Sequence, residues 1–437
     1  MADSTASPAS TDAALPETLL FSAAGWQPIL TCDDAEQAHR AVRGIEHDLS
    51  QRAERLVRDP SLSSGSAGLA LFYAYLSQHD KTSRSEDKAL DWLERAITEM
   101  CRRSLSPALH GGFSGIAWTL AHISTAEDRV NDDQFTVVDE ALAELLAQPP
   151  ANLDYDLING LVGLGVYALE RLPSPAATSC VHRVIDQLDR TAVHQPSGIC
   201  WWTPVERVPP SQRDQYPNGQ ANLGVAHGVP GAIGLLARAV SKGVAVEQSQ
   251  RLLRGAVEWL LAEQLPNHPA ARFGYTAGDH SDPSRLAWCY GDLGIAVVLL
   301  SAARATGNLS WEREAVQIAH IAARRTLANS GVQDAGLCHG AAGIGHLFNR
   351  LHQATGDDEL LAAARYWFDV TLKLHNSERG VGGFSAWENR GPEGGHWSDE
   401  AGFLEGATGV ALALLAATSA VEPNWDRVLL CSLPTSA

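Results

Sequence analysis

Basic residues are scarce: 33 Lys and Arg stand against 51 Asp and Glu in 437 residues, a formal charge of −18. Nucleic acid is bound by clustered Lys and Arg that displace counterions, so it is excluded as a partner, and a basic or neutral peptide is better received. Long apolar runs are also missing. The longest, such as Ile295 to Ala303, fall well short of the roughly 20 residues a membrane helix needs, which argues against membrane insertion. Cysteine is sparse and odd in number, with seven residues (Cys32, Cys101, Cys180, Cys200, Cys289, Cys338, Cys431) spread over the whole chain. That is no disulfide framework, and in a reducing cell most of them serve as small buried hydrophobes. The opening MADSTASPASTDAALP has neither the basic start nor the apolar middle of a signal peptide. Residues 1–17 are therefore read as a disordered tail, and the cytoplasm is the expected location.

What is plentiful is one pattern. A GxxG pair occurs seven times, at Gly65/Gly68, Gly112/Gly115, Gly160/Gly163, Gly228/Gly231, Gly291/Gly294, Gly340/Gly343 and Gly406/Gly409. The first glycines are 47, 48, 68, 63, 49 and 66 residues apart, so the unit is near 48 residues and three intervals carry insertions. Each pair opens a segment apolar nearly all round, such as GIAVVLLSAA and GVALALLAA, as expected of helices buried on both sides. A more polar helical segment precedes each one, for example SEDKALDWLERAITEM with Leu90, Leu93, Ile97 and Met100 on one stripe.

Seven such hairpins form an open solenoid or a closed ring. The first and last apolar helices are no more polar than the middle ones, whereas solenoid ends need polar caps, so closure is favoured. The expected fold is all-α: an α/α toroid of seven inner and seven outer helices over residues 18–437. The glycines then let helix starts approach closely and let the incoming turn take positive φ. A phosphate cradle is disfavoured, because no Lys-Ser/Thr follows the glycines and no strand precedes them. The insertions at 191–222, 267–284 and 376–399 are rich in Pro, Gly and aromatics and should form loops or short strands on one face.

Superposed repeats place the residue before each first glycine near the axis at one end: Ser64, Gly111, Asn159, His227, Tyr290, His339 and Glu405. Cys289 and Cys338 lie one residue further back in neighbouring repeats, close enough for both sulfurs and the His339 imidazole to meet one ion. Zn2+ suits two thiolates and an imidazole, and three protein ligands leave one tetrahedral position open. An incoming thiol is deprotonated there at neutral pH yet stays nucleophilic. Seven helix N-termini at the same end, each equivalent to about half a positive charge, favour thiolate and enolate. The matched chemistry is addition of a thiol to an alkene conjugated to a carbonyl. His227 is the candidate acid or base, Asp156 its orienter or a proton acceptor, and Arg285 the candidate partner of the enolate oxygen. His110, His346, His396 and Glu405 are read as structural or peripheral.

These residues resemble the lanthionine synthetase C-like family, through SLSSGSAGLALF, LHGGFSGIAW, YDLINGLVG, LGVAHGVPG, AWCYGDLG, LCHGAAGIGH, FLEGATG and PNWDRVLLCSL. The resemblance implies an α/α toroid with one zinc held by Cys289, Cys338 and His339. On that zinc a cysteine thiol of a ribosomally made precursor peptide adds to dehydroalanine or dehydrobutyrine, closing a lanthionine or methyllanthionine ring. It also implies proton transfer through His227 and Asp156, with Arg285 and Tyr290 lining the site. The insertion at 191–222 is the candidate for a small accessory lobe. A stand-alone cyclase further implies a separate dehydratase and a membrane exporter as partners, with membrane association only through such a complex. Two rival readings are a zinc-containing thiol- or peptide-binding module without cyclase activity, and a prenyltransferase-like enzyme that alkylates protein cysteine. The latter uses an Asp, Cys and His set that these motifs do not reproduce.

Overall fold

The structure is a computed structural model that describes residues 25–79, 84–125, 134–150, 152–208, 210–266, 268–278, 283–389 and 394–435; the expected disordered tail, residues 1–17, lies outside them. Among the described residues, fourteen helices of ten or more residues alternate strictly between two layers. The outer layer comprises α1 (Cys32–Leu56), α3 (Ser85–Arg102), α5 (Thr136–Ala147), α7 (Pro175–Thr191), α9 (Val246–Ala262), α11 (Leu309–Ala323) and α13 (Asp358–Lys373). The inner layer comprises α2 (Ser66–His79), α4 (Phe113–Ile123), α6 (Leu161–Glu170), α8 (Val229–Ser241), α10 (Asp292–Thr306), α12 (Ala341–Thr355) and α14 (Ala407–Thr418). Each inner helix packs on the next, and α14 packs on α2, so the ring is closed. No described helix is long and apolar enough to cross a membrane.

Composition sorts the two layers. Every residue of α14 from Ala407 to Ala417 is buried, because this helix has neighbours on all sides. In α3 only Ser85, Ala89, Leu93 and Ala96 are fully buried, one stripe at helical spacing, with Leu90, Ile97 and Met100 packed along its margin. Most inner helices pack hardest on the outer helix that follows them, as α10 does on α11 and α12 on α13. Among the described residues no outer helix follows the last inner helix. It takes α1, the first outer helix, and so the two ends of the chain close the ring together.

The inner helices are not capped by side chains where a cap is resolved. Gly112, Gly160, Gly228, Gly291, Gly340 and Gly406 hold the N-cap positions. Instead the loop curls round the helix start and its own carbonyls take the first amides: Leu161 N–H donates to Asp154 O at 2.8 Å, Val229 to Asn222 O at 3.0 Å, and Ala341 to Asp334 O at 2.9 Å. This corrects one of the two expected reasons for the glycines, the positive φ, and keeps the other, the close approach. Of the seven first glycines only Gly291 has positive φ, at 99°; the common requirement is space against the loop's own backbone, where a carbonyl oxygen is nearest at five of them and an amide nitrogen at Gly340 and Gly406. At Gly115 a Cβ would lie 1.9 Å from Leu109 O and 3.0 Å from Leu62 Cβ of the preceding loop.

The insertions carry the only strands among the described residues. Strand β1 (Val193–Gln195) pairs antiparallel with β2 (Gly198–Cys200), and β3 (Ala386–Asn389) with β4 (Gly395–Ser398). The first hairpin lies on α9, where Ile199 fills the space left by Gly255. The first two insertions are joined by backbone bonds, Leu223 N–H to Tyr275 O at 3.0 Å and Ala277 N–H to Ala221 O at 2.9 Å. The third reaches the sixth loop through Trp387 N–H to Asp334 Oδ2 at 2.9 Å.

Gly115→Ala should lower stability by about 2–4 kcal/mol, because the obstructing atoms are backbone and cannot rotate away. Gly111→Ala, with nothing within 4 Å of its new methyl, should stay within about 0.5 kcal/mol. Denaturation midpoints of the two variants check this, and equal midpoints would refute the close-approach account.

Candidate active site and metal centre

The loops before the inner helices are stitched to one another by backbone hydrogen bonds that run in one direction round the axis. Ser63 N–H donates to His110 O, His110 to Ile158 O, Leu157 to Ala226 O, Ala226 to Cys289 O, Cys289 to Cys338 O, Cys338 to Leu404 O, and Leu404 to Ser63 O, over 2.9 to 3.5 Å. The circuit is complete after seven links. It fixes the fifth loop against the sixth at the two cysteines themselves.

Cys289 and Cys338 are buried, at 7% and 8% exposure, and their sulfurs and a His339 ring nitrogen all lie within 4.8 Å of one another. A tetrahedral ion of zinc's size holds such donors roughly 3.3 to 3.8 Å apart, so a small side-chain adjustment brings these three onto one ion. Among the described residues no fourth His, Cys, Asp or Glu joins the group. The thiols already share protons unequally. The Cys338 thiol donates to Cys289 and, with His339 and Arg285, holds Cys289 well below the usual thiol range against the effect of burial. Cys338, the donor in that bond and itself buried, is pushed up. A cluster that stabilises one thiolate without an ion is a donor set suited to a divalent cation.

His227 stands on the fourth loop with its side chain 43% exposed, and its Nδ1 is 2.6 Å from Oδ2 of Asp156, which is buried. Oδ1 of Asp156 accepts the Asn159 amide at 2.7 Å, so the carboxylate is oriented from both sides. Burial pulls the His227 imidazole down, but the Asp156 hydrogen bond and charge, with Cys289 and Asp154, outweigh it and leave the pKa raised. Arg285 follows the same logic: burial opposes its charge, and Cys289, Tyr275 and Cys338 more than restore it. Tyr290 is pushed up to about 12, chiefly by burial, and its hydroxyl accepts from Asn222 Nδ2 at 2.8 Å.

The structure thus brings together Cys289, Cys338, His339, His227, Asp156, Arg285 and Tyr290 at one end of the ring. Glu405 faces the same end and is raised, first by burial and then by Asp334, Cys289 and Glu388, with His339 opposing. His110 is buried beside Trp288 with its pKa lowered to about 4 by burial. His346 is bonded to Asp426 at 2.8 Å in the C-terminal segment, and His396 lies on β4 with Glu388 at 3.5 Å.

Sequence reasoning missed a second register. The residue six before the first glycine is polar in every repeat: Asp59, Ser106, Asp154, Asn222, Arg285, Asp334 and Glu400. Four of these accept the amide two residues on, namely Asp59 from Ser61, Asn222 from Gly224, Asp334 from Gly336 and Glu400 from Gly402. These turns start the curl of the loop. The signal was present in the repeat alignment, one turn earlier than the glycines that drew attention.

The fold and site together define a closed α/α toroid with a thiol-rich candidate metal centre on its axis. The profile of the lanthionine synthetase C-like protein family matches residues 57–430, and the chain belongs to that family. It is 26% identical over 429 residues to the nisin biosynthesis protein NisC of Lactococcus lactis subsp. lactis, covering 89% of this chain and 94% of that one. It is 24% identical over 329 residues to the glutathione S-transferase LANCL1 of Danio rerio, covering 71% and 74% respectively. The solved structure of nisin cyclase superposes with a TM-score of 0.74 at 22% identity, over 89% of this chain and 97% of that one.

If the three donors hold one ion, added zinc should bind stoichiometrically to the wild-type chain and not to Cys338→Ala, with the helical circular-dichroism spectrum unchanged. Metal analysis of the purified variant checks this, and full retention of zinc would remove Cys338 from the ligand set.

Proposed function

We propose that this protein is a zinc-dependent peptide cyclase. It adds cysteine thiols of a dehydrated, ribosomally made precursor to dehydroalanine or dehydrobutyrine, forming lanthionine or methyllanthionine. The observation that carries the reading is the meeting of Cys289, Cys338 and His339 with the His227–Asp156 pair at one end of a toroid of this family. Zinc held by the three donors would supply a Lewis acid that deprotonates a substrate thiol at neutral pH while leaving it nucleophilic.

The chain's own residues supply the rest. Asp156 fixes the Nδ1–H tautomer of His227, which leaves Nε2 as the working nitrogen to take up the thiol proton and return it to the substrate α-carbon. The Arg285 guanidinium stabilises the enolate oxygen that develops as the sulfur–carbon bond forms. The bond forms at the β-carbon, the alkene electron pair passes to the enolate, and the proton quenches it, so the product is an isomer of the substrate. A dehydratase acting before this step and an exporter after it are the expected partners.

A second reading rests on the relative named glutathione S-transferase: a thiol from glutathione adds to the same class of alkene, between two molecules. Mass separates the two. Incubation with a dehydrated, cysteine-containing peptide should consume free thiol with no change of peptide mass; a gain of one glutathione, seen only when glutathione is present, would favour the second reading. Thiol loss in neither case would reject both.

His227→Ala should retain zinc and lose about 100-fold or more in ring-formation rate; an unchanged rate would remove it from the mechanism. The pH profile gives a signed check. Asp156 helps hold the His227 pKa above 6.5, so in Asp156→Asn burial is opposed by less, the pKa falls, and the imidazolium is lost at lower pH. The acidic limb, below which His227 is already protonated and cannot take the thiol proton, should therefore move to lower pH, and a limb that stays in place would disconnect the pair.

A further inference from the structure

The residue just before each first glycine belongs to the site register, and in the order of the loop circuit these seven residues fall into two arcs. Loops four to seven carry His227, Tyr290, His339 and Glu405, all large and titratable. Loops one to three carry Ser64, Gly111 and Asn159, which are small and uncharged. We propose that the small arc, centred on Gly111 and floored by His110, is the subsite that receives the extended peptide segment bearing the alkene, and that Gly111 sets how bulky that segment can be. The proposal rests on the cyclase reading for the identity of the peptide and on geometry for its place.

Position comes first. The second loop is three links from the fifth by way of the third and fourth, and three links from the sixth by way of the first and seventh. Gly111 therefore stands across the ring from Cys289 and Cys338, so a chain laid over it carries its alkene toward a thiol engaged on the opposite side. Space comes next. Gly111 is exposed, and a Cβ added to it would meet nothing within 4 Å, whereas one added to the next residue, Gly112, would lie 2.1 Å from Ser106 O. The opening is thus specific to position 111 and not a looseness of the loop. Asn159 on the third loop is also exposed, and among the described residues its side-chain amide makes no hydrogen bond. Such an amide pairs with one N–H and one C=O of an extended backbone, whatever side chains that backbone bears.

A second observation points to a ligand at the same place. His110, next to Gly111, occupies the register that brings the two cysteine sulfurs to the site, and its ring reaches toward Trp288 on the fifth loop, with 6.2 Å between centroids. It is 1% exposed, and neither ring nitrogen has a hydrogen-bond partner. A neutral imidazole offers one donor and one acceptor, and leaving both unmet in the interior lowers stability. Its neighbours do not meet that need. Asp156 and His227 act on it through their charges but not through a hydrogen bond, and Trp288 donates its indole N–H to Leu429 O at 2.9 Å. A peptide amide or carbonyl seated over Gly111 supplies the missing partner, reached by a small turn of the ring.

Binding of a fluorescently labelled, dehydrated precursor peptide to the full chain, followed by anisotropy, tests this beside zinc content and denaturation midpoint. Gly111→Trp should weaken binding about thirtyfold and Gly111→Leu about tenfold, with zinc content and midpoint unchanged. His110→Phe should weaken binding about threefold and yet raise the midpoint, a combination that a purely structural imidazole does not give. Wild-type affinity in Gly111→Leu overturns the proposal even if Gly111→Trp does not fold, and so does a wild-type chain that binds no such peptide. Ring closure is scored separately, as thiol loss without change of mass in the wild type. Its absence, with peptide bound and still blocked by Gly111→Trp, rejects the cyclase reading and leaves the subsite standing.

Discussion

The circuit of backbone hydrogen bonds linking the seven loops is the constraint on which the site depends. Each link takes an amide from one loop and a carbonyl from the next, so no loop shifts along the axis without breaking bonds on both sides. Cys338 is a node of this circuit: its carbonyl accepts from Trp288 and Cys289, and its amide donates to Leu404. The approach of the two sulfurs is therefore set by main-chain pairing rather than by attraction between thiols, which is weak. A candidate metal site built this way is organised before any ion arrives, so ion binding has little conformational entropy to overcome.

The same curl of the loops limits what helix dipoles do here. The first amides of the inner helices are directed at carbonyls of their own loops, as Leu161 is at Asp154 and Ala407 at Glu400. They are not free to bind an oxyanion directly. Positive charge at the site instead comes from side chains, Arg285 above all, with His227 and His339 raised by their anionic neighbours. Against these stand Asp154, Glu400 and Glu405, each raised by burial and by other acids. Charges of both signs therefore meet round the site, with Asp154 on the third loop beside the His227–Asp156 pair and Glu400 and Glu405 on the seventh.

The layers, the ring and the convergence of Cys289, Cys338 and His339 were legible in the sequence because they are periodic. A buried helix has to be apolar all round, and a ligand at fixed register repeats its position whatever the insertions do. Closure was legible for the same reason, since GLALFYAYL and GVALALLAA are both too apolar to face water. What the sequence hid is carried by backbone. The loop circuit uses amides and carbonyls that every residue possesses, and the space beside Gly115 is required by Leu109 O, an atom with no signature in the residue code. The C-terminal segment was hidden for another reason. Asp426 binds His346 and Arg350, 80 and 76 residues away, and nothing local in PNWDRVLL announces those partners.

Burial divides the labour within the site. The sulfurs sit below the surface, at 7% and 8% exposure, while the His227 side chain is 43% exposed on the rim. An ion held by the sulfurs would sit below the surface, whereas a proton on His227 exchanges with whatever occupies the rim. Chemistry that needs a persistent nucleophile and a transient proton is served by that separation, because the field that keeps sulfur anionic acts in a low-dielectric interior and the imidazole stays close to solvent. On the proposed reading it also orders events in space: sulfur is engaged deep in the ring, the alkene arrives above it, and the α-carbon comes to lie nearest His227. A rigid loop circuit below and a titrating group above are what make that order a property of the fold and not of any one substrate.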